Sequence, residues 1–258
     1  MLKPRLFRLY WTLERVIAPG NESSQAEYAR LVSAAVTPTT RWLDLGAGHQ
    51  LWPEWLEGQE EVARRARLLV GLDPDLRSLA ENRLVHHRVG GLTLPFRDGA
   101  FDLITANMVF EHLDDPVGVL REIRRVLAPG GQCIFHTPNA RYWQTALGRH
   151  LPQPIKNRLV SFSEDRADED VYPAHYRINT ASDVRTCAER AGFAETRLLL
   201  LNTSSAGRIL LLGPLVVLEL LWIRLTRLSA LAGLRSNIIG VISPPGRSSG
   251  SAPPAAAG

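Results

Sequence analysis

Arg41-Trp42-Leu43-Asp44-Leu45-Gly46-Ala47-Gly48-His49-Gln50 decides how this chain is read. A short apolar run closed by two glycines predicts a buried strand that enters a tight turn and then a helix. Its partner is Leu68-Leu69-Val70-Gly71-Leu72-Asp73-Pro74, a second buried strand closed by a carboxylate. Together they form a nucleotide-binding βαβ unit with an acid at each strand end. The glycines let the backbone approach a ligand that a Cβ would block, and amides at a following helix start favour anionic groups. Asp44 suits a cation such as an amino group. Asp73 suits the two hydroxyls of a ribose, or else the N-cap of a helix over 75–82. Leu51 stands where a third glycine would complete the dinucleotide pattern, which disfavours a nicotinamide-dependent oxidoreductase.

Outward from this unit, strands are expected near 42–45, 68–72, 84–89, 101–106 and 132–136, with helices near 53–65, 75–82 and 116–127. Strands separated by helices of this length give a parallel sheet, with ligands outside the carboxyl ends of the strands. Upstream, 4–18 suits an amphipathic helix stopped by Pro19-Gly20, and 24–35 a second helix capped by Ser23 or Ser24. This front end (1–38) is expected to cap the cofactor, with a membrane-surface helix as the alternative. Residues 140–180 form a polar, aromatic-bearing insertion expected to roof the site. A helix over 181–191 and a strand over 194–201 follow, then an apolar insertion over 206–232 and a last strand over 237–242. One domain over 1–242 and a disordered Pro, Gly, Ser and Ala tail over 243–258 complete the expected organisation.

Composition narrows the classes. With 258 residues and 45% hydrophobic content the chain can bury a full core, and a net charge of +4 without a basic run gives no reason to expect nucleic acid. Cys133 and Cys187 show neither framework nor CxxC spacing, which points to a reducing cytoplasm.

Two further blocks complete a pattern. One is Leu94-Pro95-Phe96-Arg97-Asp98-Gly99-Ala100-Phe101-Asp102-Leu103-Ile104, followed by Asn107-Met108-Val109-Phe110-Glu111-His112-Leu113. The other runs from Leu120-Arg121-Glu122-Ile123 to Pro129-Gly130-Gly131. In order and spacing these blocks, with the first two, resemble the class I S-adenosylmethionine-dependent methyltransferases, in the branch that includes ubiquinone- and menaquinone-biosynthesis enzymes. The likeness spans about 41–139 and resumes at His175-Tyr176-Arg177 and Ala191-Gly192-Phe193. It implies a Rossmann-like α/β fold: a seven-stranded sheet, last strand antiparallel, with helices on both faces. It implies S-adenosyl-L-methionine as cofactor, with Asp44, Gly46 and Gly48 at its amino acid end, Asp73 at the ribose and Pro74 beside the adenine. Asn107 and Met108 would line the pocket near the sulfonium. Two departures stand out. Gly90-Gly91 replaces the acid and small residue that often follow the third strand, and Met108-x-x-Glu111-His112 lacks the first ligand of the metal-binding pattern of some quinone-pathway relatives. No metal is expected.

Methyl transfer from a sulfonium is an in-line displacement in which alignment supplies much of the catalysis. A hydroxyl acceptor also needs a proton removed, for which His112 and His175 are the candidates, with His136 as a third. The apolar run 209–223 rises about 22 Å as a helix, short of a bilayer's hydrocarbon core. It suits a helix lying on a membrane surface, or one packed on the sheet or on a second copy in a homodimer. The sequence thus predicts a cytoplasmic methyltransferase, peripheral at the inner face of the membrane, acting on a small or lipid-linked acceptor. The rival readings are a catalytically inactive S-adenosylmethionine-binding module and the disfavoured oxidoreductase.

Overall fold

The computed structural model describes residues 2–91, 93–150, 172–203 and 215–245. The elements run α1 (Leu2–Ile17), α2 (Ser24–Ala35), β1 (Arg41–Leu45), α3 (Gln59–Arg65), β2 (Leu68–Asp73), α4 (Leu76–Glu81), β3 (His87–Gly90) and β4 (Phe101–Asn107). A 3₁₀ turn (Phe110–His112) leads to α5 (Pro116–Val126), β5 (Leu127–Pro138), α6 (Trp143–His150), α7 (Ala181–Arg190), β6 (Glu195–Leu201), α8 (Leu215–Leu225) and β7 (Asn237–Ser243). The seven strands form one sheet in the order β3-β2-β1-β4-β5-β7-β6. Strands β1 to β5 pair in parallel, and β7 is antiparallel to both of its neighbours. That is the expected mixed sheet. The order reverses at β1 and β4, which places the ligand-binding edge at their carboxyl ends.

Strand parity sorts the core into two layers. Leu43, Ile104, Cys133 and Phe135 face α5 and α7, which bury Leu120, Ile123, Val126, Val184 and Ala188 against them. Trp42, Leu103 and Ile134, one position out of phase, face α2, α3 and α4. Helix α5 is set locally by an Asp115 N-cap on the Gly118 amide (2.9 Å) and by Pro116 in its first turn. A third cluster lies apart from the sheet, where α1 packs on α8 through Tyr10, Ala18, Val216, Leu220 and Ile223. Helix α1 therefore does not cap the cofactor edge. Its apolar stripe packs on α8 instead, and it is α2 that covers this edge of the sheet, with Tyr28 stacked on His136 of β5.

Three boundaries differ from expectation. β3 starts at His87 rather than Leu84, because the Asn82 side chain takes the Leu84 amide (2.9 Å) and holds the chain in a turn. β5 extends back to Leu127 across an irregularity opposite Phe101–Leu103. The helix expected over 53–65 is confined to Gln59–Arg65. Much of the cap insertion (151–171), the start of the apolar insertion (206–214) and most of the tail (246–258) lie outside the described residues.

Gly240 shows how tightly the β5–β7 seam is filled. It pairs with Phe135, which is fully buried and stacked on Phe110 at 4.3 Å, and a Cβ at Gly240 would lie 2.1 Å from the Phe135 ring. Replacing Gly240 by Val is expected to cost about 1–3 kcal/mol through overpacking and to lower the melting temperature by roughly 3–10 °C. Thermal denaturation measures this, and an unchanged melting temperature would contradict the packing described.

Candidate active site

The two acids of the glycine unit sit on neighbouring strand ends. The amides of Gly46 and Ala47 donate to the Leu72 carbonyl (2.8 and 3.2 Å), folding the turn back over β2. Gly46 has φ +66, and a Cβ there would meet Val109 Cγ2 at 2.4 Å, so both conformation and space require glycine. Gly48 has φ +39, and a Cβ on it would find only the Gly46 carbonyl at 4.0 Å: the cradle is open at that point. Asp73 locks the turn, accepting the Gly48 amide on Oδ2 (2.9 Å) and the Asp75 amide on Oδ1 (2.8 Å). The N-cap of α4 is Asp75, not Asp73. Each Asp73 oxygen therefore keeps acceptor capacity for a further donor. Beside it, the half-buried Pro74 and the exposed Leu76 form an apolar edge, with Leu76 lying over Gly90 so closely that a Cβ there would clash.

Asp44 is the electrostatic anomaly. It is 3% exposed, accepts a hydrogen bond from Thr105 Oγ1, and has no cationic partner among the described residues. Thr105 in turn accepts from Trp42 Nε1 (2.6 Å). Burial pushes the Asp44 carboxyl up to about 7, against the lowering effect of the Thr105 bond and with a further push from the Asp73 charge.

A polar layer continues from Asp44 beneath α2. Asn107 Nδ2 donates to Gln25 Oε1 (3.1 Å) and to the Leu51 carbonyl (3.3 Å), which leaves its Oδ1 to accept from His136 Nδ1 (3.0 Å). The His136 proton is thereby on Nδ1, and Nε2 accepts from Ser24 Oγ (2.9 Å). Burial pushes His136 down to about 3, and with both ring nitrogens engaged it is a neutral structural link rather than the base considered above. Next along β4, Met108 takes φ +58 and donates its amide to the His136 carbonyl (2.8 Å), leaving its side chain exposed at the strand edge. A left-handed non-glycine residue at a ligand-binding edge marks stored backbone strain.

The chain after the glycine turn departs from expectation. No helix begins there: Leu51 and Trp52 turn inward and are 2% exposed, Trp52 Nε1 donates to the Leu56 carbonyl (3.1 Å), and the next helix waits for the left-handed Gly58. An anion site at a helix start directly after Gly48 is therefore not formed. On the far side of the edge, the amides of His175 and Tyr176 both donate to the Glu111 carbonyl (2.7 and 3.0 Å), strapping 172–177 over the 3₁₀ turn. This brings His112 and His175 to one place. His112 Nδ1 lies 3.0 Å from the Pro173 carbonyl, which can only accept, so Nδ1 carries a proton and it is Nε2 whose lone pair is available in the neutral ring. The side chain of His175 is exposed. Glu111 is buried, its Oε2 accepts from the Thr137 hydroxyl (2.9 Å), and burial raises its pKa.

The chain matches the family described as a methyltransferase domain over residues 21–198. It belongs to the class I S-adenosylmethionine-dependent methyltransferases. Among curated relatives, it is 33% identical over 134 residues to the demethylmenaquinone methyltransferase of Corynebacterium kroppenstedtii, covering 48% of this chain and 55% of that one. It is 28% identical over 141 residues to the ubiquinone biosynthesis O-methyltransferase of Hahella chejuensis (50% and 56%), so it spans about half the length of these two relatives. To the demethylmenaquinone methyltransferase of Mycolicibacterium gilvum it is 30% identical over 171 residues, covering 63% and 72%. Its fold is shared with an S-adenosylmethionine-dependent methyltransferase of Mesorhizobium loti (TM-score 0.51, 18% identity, 84% and 97% covered). It is shared too with phosphoethanolamine N-methyltransferase 2 of Haemonchus contortus in complex with S-adenosyl-L-methionine (0.51, 16%, 90% and 56%).

For a member of this family, the strand-end residues Asp44, Gly46, Gly48, Asp73, Asn107 and Met108 are legible from local sequence. Ser24, Thr105, Tyr28 and Leu76 are not, since each reaches the edge through tertiary packing. One signal was available for Thr105 and His136: both are polar residues in phase with Trp42, Leu103 and Ile134 on otherwise apolar strands.

Asp44 also predicts a pH signature of the free protein. Unfolded, it ionises near its ordinary 3.8; folded, it holds its proton to about 7. A raised acid stabilises fully at low pH and loses that contribution as pH climbs from about 4 to 7. Asp44→Asn, which still accepts from Thr105, is expected to match wild type near pH 4 and to exceed it at pH 8 by on the order of 2–4 kcal/mol. Urea melts at the two pH values check this; equal differences at both would contradict it.

Proposed function

We propose that the chain transfers a methyl group from S-adenosyl-L-methionine to a hydroxyl of a small or lipid-linked acceptor by in-line displacement. The observation that carries this reading is a buried carboxylate without a cation, Asp44, one strand from the Asp73 clamp on the Gly48 amide. The residues fit the cofactor. The open cradle at Gly48 admits its amino acid end, and Asp44 supplies the charge that an ammonium lacks a partner for. Asp73 has lone pairs left for ribose hydroxyls, while Pro74 and the exposed Leu76 offer an apolar seat to adenine. Asn107 and Met108 complete the wall nearest the reacting centre. Bound there, S-adenosylmethionine supplies an electrophilic methyl group.

The chain's own work is orientation and proton removal. Asp44 and Asp73 fix the two ends of the cofactor, and the Asn107–His136–Ser24 link holds α2 against the pocket edge. His112 Nε2 takes the proton from the acceptor hydroxyl as the oxygen–carbon bond forms and the carbon–sulfur bond breaks, and His175 on the same strap is the second candidate. Residues 172–177, strapped over the 3₁₀ turn, lie beside His112 in this reading, and the protein works in the cytoplasm, at the inner face of the membrane when the acceptor is lipid-linked. Support comes from the quinone-biosynthesis names of the curated relatives.

Incubation with methyl-labelled cofactor and fractionated cell extract tests this directly, and label is expected in a small-molecule or lipid fraction. With the acceptor in hand, His112→Ala is expected to lower kcat by about 10²–10⁴-fold while leaving the affinity for the cofactor unchanged. If neither His112→Ala nor His175→Ala slows turnover, the base lies elsewhere. Tight cofactor binding with no label transferred to any fraction would favour the inactive binding module.

A further inference from the structure

Helices turned towards water normally hide their leucines and show their acids. Helices α1 and α8 do the reverse. The outward face of α8 and the residues just past it carry Val217, Leu218, Leu221, Leu225 and Leu228, all between 41% and 60% exposed. The adjoining α1 exposes Leu9, Trp11 and Val16. The acids point the other way. Glu219 is fully buried and receives hydrogen bonds from the Tyr142 hydroxyl, Trp143 Nε1 (3.2 Å) and Gln144 Nε2 (3.3 Å). Glu14 is buried and receives Asn21 Nδ2 (2.8 Å). The cations are outside: Arg8, Arg15, Arg224 and Arg227 are exposed, and none forms an ion pair among the described residues. Among the described residues, Arg15, Arg224 and Arg227 donate to backbone carbonyls of Trp11, Ile17 and Pro19 respectively.

We infer that α1 and α8 together form a platform that docks on a bilayer surface bearing anionic headgroups. The apolar row enters the acyl boundary, Trp11 sits at the interface, and the guanidiniums meet headgroup phosphates. Helix α8 has 11 residues, and among the described residues no helix is long and apolar enough to cross a membrane, so the platform lies in the surface plane. A second copy is the poorer occupant. A two-fold contact through this face would bring eight guanidiniums together with no exposed carboxylate from either helix pair to answer them. The platform also adjoins the site edge. Glu219 holds residues 142–144, and Asn139, just past the end of β5, donates to the Gly233 and Arg235 carbonyls (2.9 and 2.7 Å). This inference deepens the lipid-linked part of the proposed function and rests on it for its purpose, though not for its geometry.

The test is flotation of the full chain with phosphatidylcholine vesicles, with and without 30% phosphatidylglycerol, at low and high salt. Wild type is expected on the anionic vesicles at low salt and to be released by high salt. Leu221→Glu with Leu225→Glu is expected to lower the bound-to-free ratio at least tenfold, and Arg224→Gln with Arg227→Gln by about tenfold on anionic vesicles only. All four positions are exposed, so melting temperatures should stay near that of wild type. Wild type that stays unbound, or both variants floating like wild type, would overturn the platform. So would a micromolar dimer that the leucine pair dissociates and vesicles do not compete with. Cofactor binding, followed separately by calorimetry, keeps this failure distinct from failure of the methyltransferase reading.

Discussion

A carboxylate sealed inside the sheet's binding edge with one hydroxyl donor and no cation is the constraint around which the site is arranged. Asp44 is costly where it stands: removing a charge from water without a partner is among the least favourable burials a fold can contain. The free chain meets that cost by holding the proton, since burial raises the carboxyl to about 7. It is a cost with a use, because a cation delivered to this edge would be met by an anion that water no longer shields. The neighbouring features serve to keep that edge in shape. Asp73 pins the glycine turn through two amides, Gly46 tolerates Val109 at a distance no side chain would, and Met108 holds a left-handed turn at the next strand end.

The polar layer beneath α2 follows from strand parity. Asp44, Thr105, Asn107 and His136 share a face with Trp42, Leu103 and Ile134, so a helix laid on that face must satisfy polar groups at one end and apolar ones at the other. Helix α2 does both. Val32 and Ala29 pack the apolar part, while Ser24, Gln25 and Tyr28 engage the polar part. His136 is the hinge between the two, neutral because it is buried and singly protonated because Asn107 can only accept from it. Such a network specifies one arrangement when its members are satisfied, and Asp44 is the member left without a cation among the described residues.

Much of this is legible in the sequence. The strands carrying Asp44, Asp73 and Asn107 are short apolar runs with glycine or carboxylate ends, and the physics that sets them is local. The loop over 49–58 was not legible, because Leu51 and Trp52 leave a helical pattern only when the core offers them space. Nor was the partner of α1: its stripe fits any apolar surface, and the choice of α8, some two hundred residues away, is made by tertiary packing alone. The polarity of α8 could be sorted into two faces from sequence, but which face turned outward could not. The buried ring of donors around Glu219 decides it.

If Asp44 receives the cofactor's ammonium, binding must expel the proton that the free carboxyl holds, and that release can be measured. Calorimetric titration with S-adenosylmethionine at pH 6.5, in two buffers of different ionisation enthalpy, reports the protons exchanged. Wild type is expected to release about half a proton or more that Asp44→Asn does not, because a carboxyl near 7 is mostly protonated at that pH until a cation arrives. Identical proton exchange by the two proteins, with equal affinity, would contradict it.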